Sequence, residues 1–289
     1  MLTTVEFVLT GTGHGRPFAA DATYLAPASP TTPARPVVVF VHGFKGFKDW
    51  GHFPLFGRFF AEQGFVFIKL NLSHNGVVVG GTGDLEDLEA FGNNNFSHEL
   101  NDLGQLLDAL HEPGATPLPA AALDLGRLYL IGHSRGGGLV LAKAAEDPRV
   151  KAVATWAAVA TLSPPWPAEV LTQWQREGVI HIPNARTGQQ LPLYYQIAED
   201  YRAHQPRFDL AALVPQLRQP LLIVHGDVDE TVPLSAAETL LARQPEAELF
   251  IVPEAGHQFG GRHPWPEAKL PPLARLVAER TAAFFDKHA

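Results

Sequence analysis

One serine of the chain stands where it can act as a nucleophile. An apolar run, Leu128–Ile131, ends at the pentapeptide Gly132–Gly136, which reads Gly-His-Ser-Arg-Gly, and residues 139–146 follow with helical character. A G-x-S-x-G turn between a strand and a helix projects a serine hydroxyl from the edge of a sheet. The alternative is a glycine-rich turn that binds phosphate, but this segment lacks the Lys-Ser/Thr ending of a P-loop. The pattern therefore predicts that Ser134 is a nucleophile.

A serine hydroxyl reacts well only when a base accepts its proton and an acid orients that base. His257 follows the predicted strand 248–252, and an aspartate-containing loop, residues 225–233, follows the predicted strand 221–224. Both positions lie just beyond the C-terminal end of a strand, where open α/β sheets place their functional residues. His263 has no preceding strand end, so we predict that His257 is the base.

The acid that orients the base is Asp227 or Asp229. Asp227 directly follows Gly226 and can serve as a turn former. Asp229 leaves two residues in which the chain turns away from the strand, and this spacing favours Asp229. The other aspartate would then form hydrogen bonds within the turn.

The composition limits the class of protein. The chain has 289 residues, of which 46% are apolar, a formal net charge of −8 and no cysteine. This length can bury the core of one α/β domain, and the lack of cysteine excludes disulfides and thiolate chemistry. The acidic balance without a basic stripe argues against nucleic-acid and anionic-membrane partners. The start of the chain does not resemble a signal peptide and no run reaches transmembrane length, so we predict a cytoplasmic protein of undetermined oligomeric state.

Strand-like and helix-like segments alternate along the chain, which favours a mostly parallel sheet with helices on both faces. An N-terminal hairpin is predicted from residues 5–10 and 19–25. Further strands are predicted at 36–41, 65–70, 127–131, 150–156, 221–225 and 248–252. Helices are predicted at 53–63, 96–110 (with Ser97 as a candidate cap), 139–146, 234–243 and 273–288. The long polar connection 71–95 is predicted to be functional or mobile.

The alternation is interrupted at residues 157–208. This segment contains predicted helices at 169–177 and 195–204, with a predicted hairpin at 179–183 and 190–194 between them. We predict that it is a cap inserted into a single domain that spans residues 1–289.

Four motifs together resemble those of α/β-hydrolase-fold serine hydrolases, in the group of bacterial esterases and dienelactone-hydrolase or prolyl-oligopeptidase-like domains. The motifs are His42-Gly43-Phe44, Gly132–Gly137, Gly226–Pro233 and Gly256-His257, and the resemblance covers nearly the whole chain. In that family the pattern Gly-x-x-Asp-x-x-Val-Pro carries the acid, which implies Asp229. The motifs do not specify the substrate, because this fold hosts many chemistries.

The same resemblance implies an oxyanion hole made of backbone N–H groups. One donor is the N–H of Arg135, which follows the nucleophile, and the second is the N–H of Phe44, in the loop after the first parallel strand. The resulting hypothesis is a serine esterase that hydrolyses a small or medium carboxylic ester. Ser134, His257 and Asp229 would form its catalytic triad, with an acyl-enzyme intermediate.

Other activities stay open at this point. A serine nucleophile excludes the aspartate-nucleophile chemistry of dehalogenases and epoxide hydrolases, but not thioesterase, amidase or peptidase activity. A peptidase would need charged residues that hold a peptide terminus, and the candidates in the predicted cap are Glu177, Arg186, Glu199 and Arg202. A non-catalytic receptor with this fold is a third hypothesis, and the presence of all three triad residues argues against it.

Several further residues are candidates for the substrate pocket or for structural roles. Aromatic residues concentrate near the predicted cap, where they either form an acyl or aryl pocket or pack the cap on the sheet: Trp156, Trp166, Trp174 and Tyr194. His74 follows a strand end and either lines the mouth of the site or makes structural hydrogen bonds. The acidic run 84–89 lacks EF-hand spacing and the histidines show no H-E-x-x-H spacing, so we predict no metal and no cofactor.

Overall fold

The computed structural model describes residues 1–27, 29, 31–81, 83–163 and 166–289. Its strands are β1 (Leu2–Thr10), β2 (Pro17–Leu25), β3 (Arg35–Val41), β4 (Val66–Leu70), β5 (Leu123–His133), β6 (Val150–Trp156), β7 (Val179–Pro183), β8 (Gln190–Tyr194), β9 (Leu221–Gly226) and β10 (Glu248–Val252). Its α-helices are α1 (Phe53–Glu62), α2 (Leu88–Gly92), α3 (Phe96–His111), α4 (Arg135–Glu146), α5 (Ala168–Glu177), α6 (Gln196–Ala203), α7 (Gln205–Phe208), α8 (Leu210–Leu213), α9 (Ser235–Arg243) and α10 (Pro272–Lys287). Across these ranges no helix has both the length and the apolar character to span a bilayer.

Eight of these strands form one sheet in the order β1-β2-β4-β3-β5-β6-β9-β10. The pairs β1–β2 and β2–β4 are antiparallel, whereas all other neighbours in the sheet are parallel. Parallel strands place their C-terminal ends at the same edge of a sheet. The loops that follow β3, β5, β9 and β10 therefore meet at one edge, as the sequence predicts for the functional loops.

The continuous apolar runs of the strands reflect helices on both faces of the sheet. In β3, Val37, Val39 and Val41 belong to one core cluster, and Val38 and Phe40 belong to the other. All five side chains are fully buried. Helices α3 and α4 contribute to the first cluster, and α1 and α10 contribute to the second. A strand that is buried on both faces has no polar face, so its sequence does not alternate.

Helix α1 forms because its phenylalanines recur at helical spacing. Phe53 packs edge-on against Phe40 of β3, and Phe60 stacks on Phe67 of β4. A proline occupies the first turn, where its missing N–H costs no intrahelical hydrogen bond. The helix is thus fixed on the sheet by side chains from one face.

The segment 157–208 holds α5, the β7–β8 hairpin, α6 and α7 between β6 and β9. β7 and β8 pair antiparallel in a separate two-stranded sheet, and the hydroxyl of Tyr194 in β8 donates to Glu89 of α2 over 2.6 Å. In the turn of this hairpin, both terminal nitrogens of Arg186 bond to the carboxylate of Asp84, at 2.8 and 2.6 Å. The division into one domain with a cap stays a prediction.

The predicted cap of α3 was wrong by two residues. The helix begins at Phe96, and Oδ1 of Asn95 accepts the N–H of His98 at 2.8 Å. The hydroxyl of Ser97 instead donates to Asp200 of α6 over 2.5 Å. Asparagine and serine are both good N-cap residues, so the sequence alone did not distinguish Asn95 from Ser97. The contact of Ser97 with the distant helix α6 is what separates their roles.

The connection 71–95 is also more regular than the sequence predicts, because α2 lies within it. The carboxylate of Asp87 caps this helix by accepting the N–H of Ala90 at 2.8 Å. Five residues are too few for a helical period to be recognised in the sequence. The short helices α7 and α8 were missed for the same reason.

Candidate active site

Ser134 occupies the sharp turn between β5 and α4. Its backbone has a φ of 57° and a ψ of −122°, a region that costs a non-glycine residue about 1–3 kcal/mol. Its N–H donates to the carbonyl oxygen of Trp156 at 2.9 Å, and its own carbonyl accepts the N–H of Gly137 at 3.0 Å. These hydrogen bonds hold the strained turn, and the half-buried side chain lies in the wall of a pocket.

Two glycines permit the close packing around this serine. A Cβ atom at Gly136 would lie 2.2 Å from the carbonyl oxygen of Val41, so α4 can start in contact with β3 only if residue 136 has no side chain. A Cβ atom at Gly43 would lie 2.7 Å from Cβ and 3.2 Å from Oγ of Ser134. The backbone of the loop after β3 therefore lies directly beside the serine hydroxyl.

The acid and the base predicted from the sequence are in contact. Oδ2 of Asp229 lies 2.7 Å from Nδ1 of His257, and Oδ1 accepts the N–H groups of Thr231 and Val232 at 2.8 and 2.9 Å. Burial alone would raise the pKa of Asp229, but its hydrogen bonds lower the pKa below the ordinary value of an aspartate. The carboxylate is thus ionised and oriented toward the imidazole.

Asp227, the other candidate acid, is exposed and has a different contact. Its Oδ1 accepts the N–H of Glu254 at 2.7 Å, which ties the loop after β9 to the loop after β10. The sequence predicted hydrogen bonds within the turn for the second aspartate, whereas this bond joins two loops that are distant in sequence.

Two buried histidines that the sequence did not single out hold the same loops. Nε2 of His225, near the end of β9, donates to the carbonyl of Val232 at 2.8 Å. Nε2 of His133, the last residue of β5, donates to the carbonyl of His257 at 2.9 Å. Burial, together with the charge that His257 can carry, lowers the pKa of His133 to about 3, so its ring is neutral. Their positions at the ends of strands next to the site were the signal that could have identified them.

The loop after β3 is held by His42, which is 2% exposed. Its Nδ1 donates to the carbonyl of Gly43 at 2.9 Å, and its Nε2 accepts the N–H of Leu72 at 3.4 Å and the side-chain amide of Asn75 at 3.3 Å. Burial lowers the pKa of His42 to about 4, which keeps the neutral tautomer that these bonds require. The loop that carries Phe44 is thereby fixed beside the serine.

The side chain of Arg135 connects this loop to α3. Its guanidinium carbon lies 4.0 Å from the ring centroid of Phe44 and 5.4 Å from that of Phe96. One of its nitrogens lies 3.2 Å from the carboxylate of Glu99, which is buried. The backbone N–H of Arg135 is at the first position of α4, where a helix leaves its N–H groups without intrahelical acceptors. This group and the loop at Phe44 both border the pocket.

The pocket beside Ser134 has a volume of about 900 Å³. Ser134, His257 and Phe44 line it, together with many residues of the segment 157–208. This part of the pocket wall contains apolar side chains and the turn of the β7–β8 hairpin: Val159, Leu162, Trp166, Ile197 and the stretch 184–186. Such a volume accommodates a drug-sized molecule.

Among the predicted pocket residues, the structure places Trp166 in the wall and the others elsewhere. Trp156 is buried under the sheet edge, where its Nε1 donates to Thr281 at 3.0 Å. Trp174 is buried against Trp166 and donates to the carbonyl of Leu193 at 2.7 Å. Tyr194 faces α2 instead of the pocket. Trp174 and Tyr194 therefore pack the segment 157–208, which was the alternative that the sequence left open. Trp156 instead belongs to the core between the sheet and helices α1 and α10.

His74 also lies outside the pocket wall. Its Nδ1 is 2.8 Å from the hydroxyl of Ser73, and its ring stacks on that of His98 at a centroid distance of 4.3 Å. His14 approaches both rings, so that potential ligand atoms of the three histidines lie within 4.8 Å of one another. The spacing of the histidines along the sequence did not indicate this cluster, because its members come from three separate parts of the chain.

A family model described as the alpha/beta hydrolase family matches residues 38–268. The chain belongs to this family. The matched range includes Phe44, Ser134, Asp229 and His257. The family and fold predicted from the sequence motifs are therefore confirmed.

Solved structures with similar folds cover nearly all of this α/β hydrolase. Est1E from Butyrivibrio proteoclasticus, solved with ferulic acid, has a TM-score of 0.65 and 19% identity over 95% of this chain and 96% of that one. The esterase domain of a Rhodothermus marinus protein has a TM-score of 0.63 and 22% identity over 99% of both chains. The alpha/beta hydrolase GrgF from Penicillium sp. sh18 has a TM-score of 0.71 and 17% identity over 99% of both chains. At these identities the likeness establishes the fold.

One curated relative matches this α/β hydrolase in sequence. Pimeloyl-[acyl-carrier protein] methyl ester esterase from Aromatoleum aromaticum is 39% identical over 56 residues, which are 19% of this chain and 22% of that protein. The chain thus matches about a fifth of the length of the relative. A match of this extent does not show that the chain has the activity of the relative.

Proposed function

We propose that this α/β hydrolase is a serine esterase that cleaves small or medium carboxylic esters. The observation that carries the proposal is the 2.7 Å hydrogen bond between Asp229 and His257, because it orients the imidazole of a residue that shares the pocket with Ser134. An oriented base beside a strained, half-buried serine is the arrangement that activates a hydroxyl for nucleophilic attack.

In the proposed first step the hydroxyl of Ser134 attacks the carbonyl carbon of the ester. Nε2 of His257 accepts the hydroxyl proton, while Nδ1 keeps its proton in the bond to Asp229. The imidazolium that forms is stabilised by the ionised carboxylate. Its proton then passes to the leaving alkoxide, so the alcohol departs and the acyl group stays on the serine.

The negative charge on the tetrahedral intermediate needs donors that are already in place. We assign this role to the backbone N–H groups of Arg135 and Phe44, two residues that line the pocket together with the serine. Donors of this kind contribute about 3–4 kcal/mol each to the stability of the transition state. The hydrogen bonds of His42 to Gly43 and the stacking of the Arg135 side chain on Phe44 would hold both backbones during the reaction.

In the proposed second step water hydrolyses the acyl-enzyme by the same route. His257 takes a proton from the water, which attacks the acyl carbonyl, and then returns that proton to Ser134. The carboxylic acid leaves and the free enzyme is restored. No cofactor or metal ion enters this sequence of steps.

The pocket and the related proteins support an ester of moderate size. Apolar side chains from the segment 157–208 border the serine, and we propose that this segment acts as a cap that selects the acyl or aryl group. Two of the similar proteins carry the name esterase, and one similar structure holds ferulic acid. Thioesters of the same shape would fit this pocket equally well.

The candidate residues for binding a peptide terminus favour an ester over a peptide. Arg186 borders the pocket, but its guanidinium is paired with Asp84 at 2.6 Å. Glu177 and Glu199 are exposed and are absent from the pocket wall. Arg202 binds the hydroxyl of Tyr195. None of these four groups presents an unpaired charge to the serine.

Labelling with a fluorophosphonate probe tests the nucleophile. The wild type is expected to label, the Ser134→Ala variant is expected not to label, and Ser163→Ala serves as a control because Ser163 also borders the pocket. Labelling of Ser134→Ala at the wild-type rate would show that another residue is the nucleophile. A wild type that does not label would support a non-catalytic receptor.

A matched substrate series tests the class of bond. Values of kcat/KM are compared for p-nitrophenyl esters of increasing acyl length, hydroxycinnamate esters, the corresponding thioesters and aminoacyl amides. We expect esters to exceed amides by a large factor, since an amide leaving group needs stronger protonation. Faster turnover of amides would contradict the esterase proposal, and faster turnover of thioesters would make the enzyme a thioesterase.

A further inference from the structure

Three histidines from distant parts of the sequence converge on the side of the molecule near the β1–β2 turn. His14 lies in that turn, His74 in the loop after β4, and His98 in the first turn of α3. One ligand atom of each lies within 4.8 Å of those of the other two. The rings of His74 and His98 are stacked at 4.3 Å, and the ring of His14 meets them edge-on at 4.8 and 4.9 Å.

Two of these rings are already oriented by hydrogen bonds from one nitrogen. Nδ1 of His74 is 2.8 Å from the hydroxyl of Ser73, and Nδ1 of His14 accepts the N–H of Arg16 at 3.2 Å. Nε2 of His14 lies 3.5 Å from the hydroxyl of Ser73 and 3.4 Å from Oδ1 of Asp102, so it faces the same group of side chains. Metal-binding histidines commonly have this arrangement, in which a neighbour fixes the ring through one nitrogen and the metal occupies the other.

A buried carboxylate lies beside His14 of this cluster. Asp102, in the second turn of α3, has a side chain that is 1% exposed, and its Oδ1 lies 3.4 Å from Nε2 of His14. Its Oδ2 accepts the N–H of Ser73 at 2.7 Å, whereas Oδ1 has no hydrogen-bond partner among the residues that the structure describes. A buried carboxylate oxygen without a donor is costly unless something else binds it.

The charges around the cluster are compatible with a bound cation. The nearby cation Arg16 is itself paired with Asp87 at 2.6 Å. Neutral imidazoles with one carboxylate are a typical ligand set for Zn²⁺.

We propose that His14, His74, His98 and Asp102 form a binding site for a divalent transition-metal ion, with Zn²⁺ as the preferred occupant. A tetrahedral ion with bonds of about 2.0–2.1 Å requires ligand atoms about 3.4 Å apart. The ligand atoms of the three histidines, which lie within 4.8 Å of one another, therefore need to close by up to about 1.4 Å. Rotation of the partly exposed His14 and His98 side chains can supply this movement.

The site is distinct from the pocket at Ser134, since none of its four residues borders that pocket. It would join the β1–β2 turn, the loop after β4 and the start of α3. Because a metal that binds the folded chain stabilises it, the expected role is structural. Esterase activity at moderate temperature should then change little on removal of the metal.

The experiment uses the full-length protein after treatment with EDTA. We expect stoichiometric Zn²⁺ to raise the Tm by about 5 °C, and Co²⁺ to give the visible d–d absorption of a tetrahedral site with nitrogen and oxygen ligands. His98→Gln should weaken the affinity for Zn²⁺ by at least about 100-fold. Loss of a residue that only hydrogen-bonds to a metal ligand already costs roughly 10–100-fold in affinity, and loss of the ligand itself should cost more. His181→Gln, at an exposed histidine of β7, should bind as the wild type does.

Three outcomes decide the proposal. Absence of saturable Zn²⁺ binding by the wild type would overturn it, and so would equal affinity of the wild type and His98→Gln, which would indicate adventitious binding. If His98→Gln does not fold, Asp102→Asn replaces it, with circular dichroism to check the fold. Loss or change of the tetrahedral Co²⁺ spectrum in Asp102→Asn supports the site, and an unchanged spectrum contradicts the assignment of this carboxylate.

Discussion

Oδ2 of Asp229 lies 2.7 Å from Nδ1 of His257, whereas Asp227, two residues earlier, bonds to the backbone of Glu254. The two aspartates are close in the sequence, but their contacts in the structure differ. An acid that orients the base contributes about 10⁴-fold to kcat in serine hydrolases. We expect Asp229→Asn to lower kcat for a p-nitrophenyl ester by about that factor.

Asp227→Asn is the matched control for this change. Its amide oxygen can still accept the N–H of Glu254, so we expect kcat to stay within a few-fold of the wild-type value. Steady-state kinetics of the two variants, with circular dichroism as a check of folding, decide between the aspartates. A larger loss of kcat in Asp227→Asn than in Asp229→Asn would assign the acid to Asp227.

The proximity of Gly43 to the nucleophile predicts a steric effect. The added methyl group of Gly43→Ala would lie 2.7 Å from Cβ of Ser134, so the loop must move away and carry the Phe44 N–H with it. Loss of one oxyanion donor typically costs about 10²–10³ in kcat, and we expect a decrease of this size. Gly256→Ala is the control, because its methyl group would meet only the carbonyl of Val228 at 3.9 Å. Equal kinetics of the two variants would argue against a donor in this loop.

The stability of the protein should depend on pH through buried histidines such as His52. Burial lowers the pKa of His52 from its ordinary value of 6.5 to about 4. Between these values the unfolded chain binds a proton that the folded chain does not, so stability rises with pH and falls as the pH drops. For one such histidine the loss between pH 7.5 and pH 5 is about 2 kcal/mol.

His52→Gln removes this contribution, so we expect urea unfolding to show a smaller loss of stability on acidification, by about 2 kcal/mol. His181→Gln changes an exposed histidine and should retain the wild-type pH dependence. The same pH dependence in wild type and His52→Gln would mean that the ring binds its proton as readily in the folded protein as in the unfolded chain.

A buried group of charges near the N-terminal hairpin predicts a large effect on stability. Oδ2 of Asp21 lies 2.8 Å from Nζ of Lys48 and 2.5 Å from Nζ of Lys69, and all three side chains are less than a tenth exposed. Removal of one member of a buried ion pair costs about 3–5 kcal/mol. Both lysines would keep a contact with Asp49, but the side chain of Asp49 is 45% exposed, whereas that of Asp21 is buried between them. We therefore expect Asp21→Ala to reduce the free energy of unfolding by about that amount.

Glu6→Ala is the control for this prediction. Glu6 contacts the same Lys48 at 3.0 Å, but its side chain is 59% exposed. Exposed ion pairs contribute about 0–1 kcal/mol. Chemical denaturation of the two variants compares a buried and an exposed carboxylate on one lysine, and equal losses would mean that burial does not determine the effect.

The parts of the fold that depend on local pattern were predictable from the sequence. The strands at 150–156 and 248–252 are those predicted, and each of the two is an apolar run bounded by polar or turn residues. The placement of Ser134, Asp229 and His257 at one edge of the sheet was also predictable, because each follows the end of a strand and parallel strands bring such positions together. Their catalytic roles stay a prediction. The spacing of the loop favoured Asp229 over Asp227, and the resemblance to a known family implied the same residue.

The parts that depend on contacts between distant segments were not predictable. Trp166 and Trp174 lie eight residues apart in the same segment, yet the former borders the pocket and the latter is buried behind it. Nothing in their spacing distinguishes the two, since orientation depends on how the segment packs on the sheet. His14 and His98 meet for a similar reason, because the β1–β2 turn folds over the start of α3. Neither contact has a local signal.

The hydrogen bond from His133 to the carbonyl of His257 has a consequence for chemical rescue. It holds the backbone of residue 257 and does not involve its imidazole, while the Asp229 carboxylate keeps its bonds to Thr231 and Val232. In His257→Ala these supports would remain around an empty space of the size of an imidazole ring. If the proposed triad is correct, we expect free imidazole to restore part of the activity of this variant toward a p-nitrophenyl ester in a concentration-dependent manner, and Asp229→Asn in the same background should abolish the rescue.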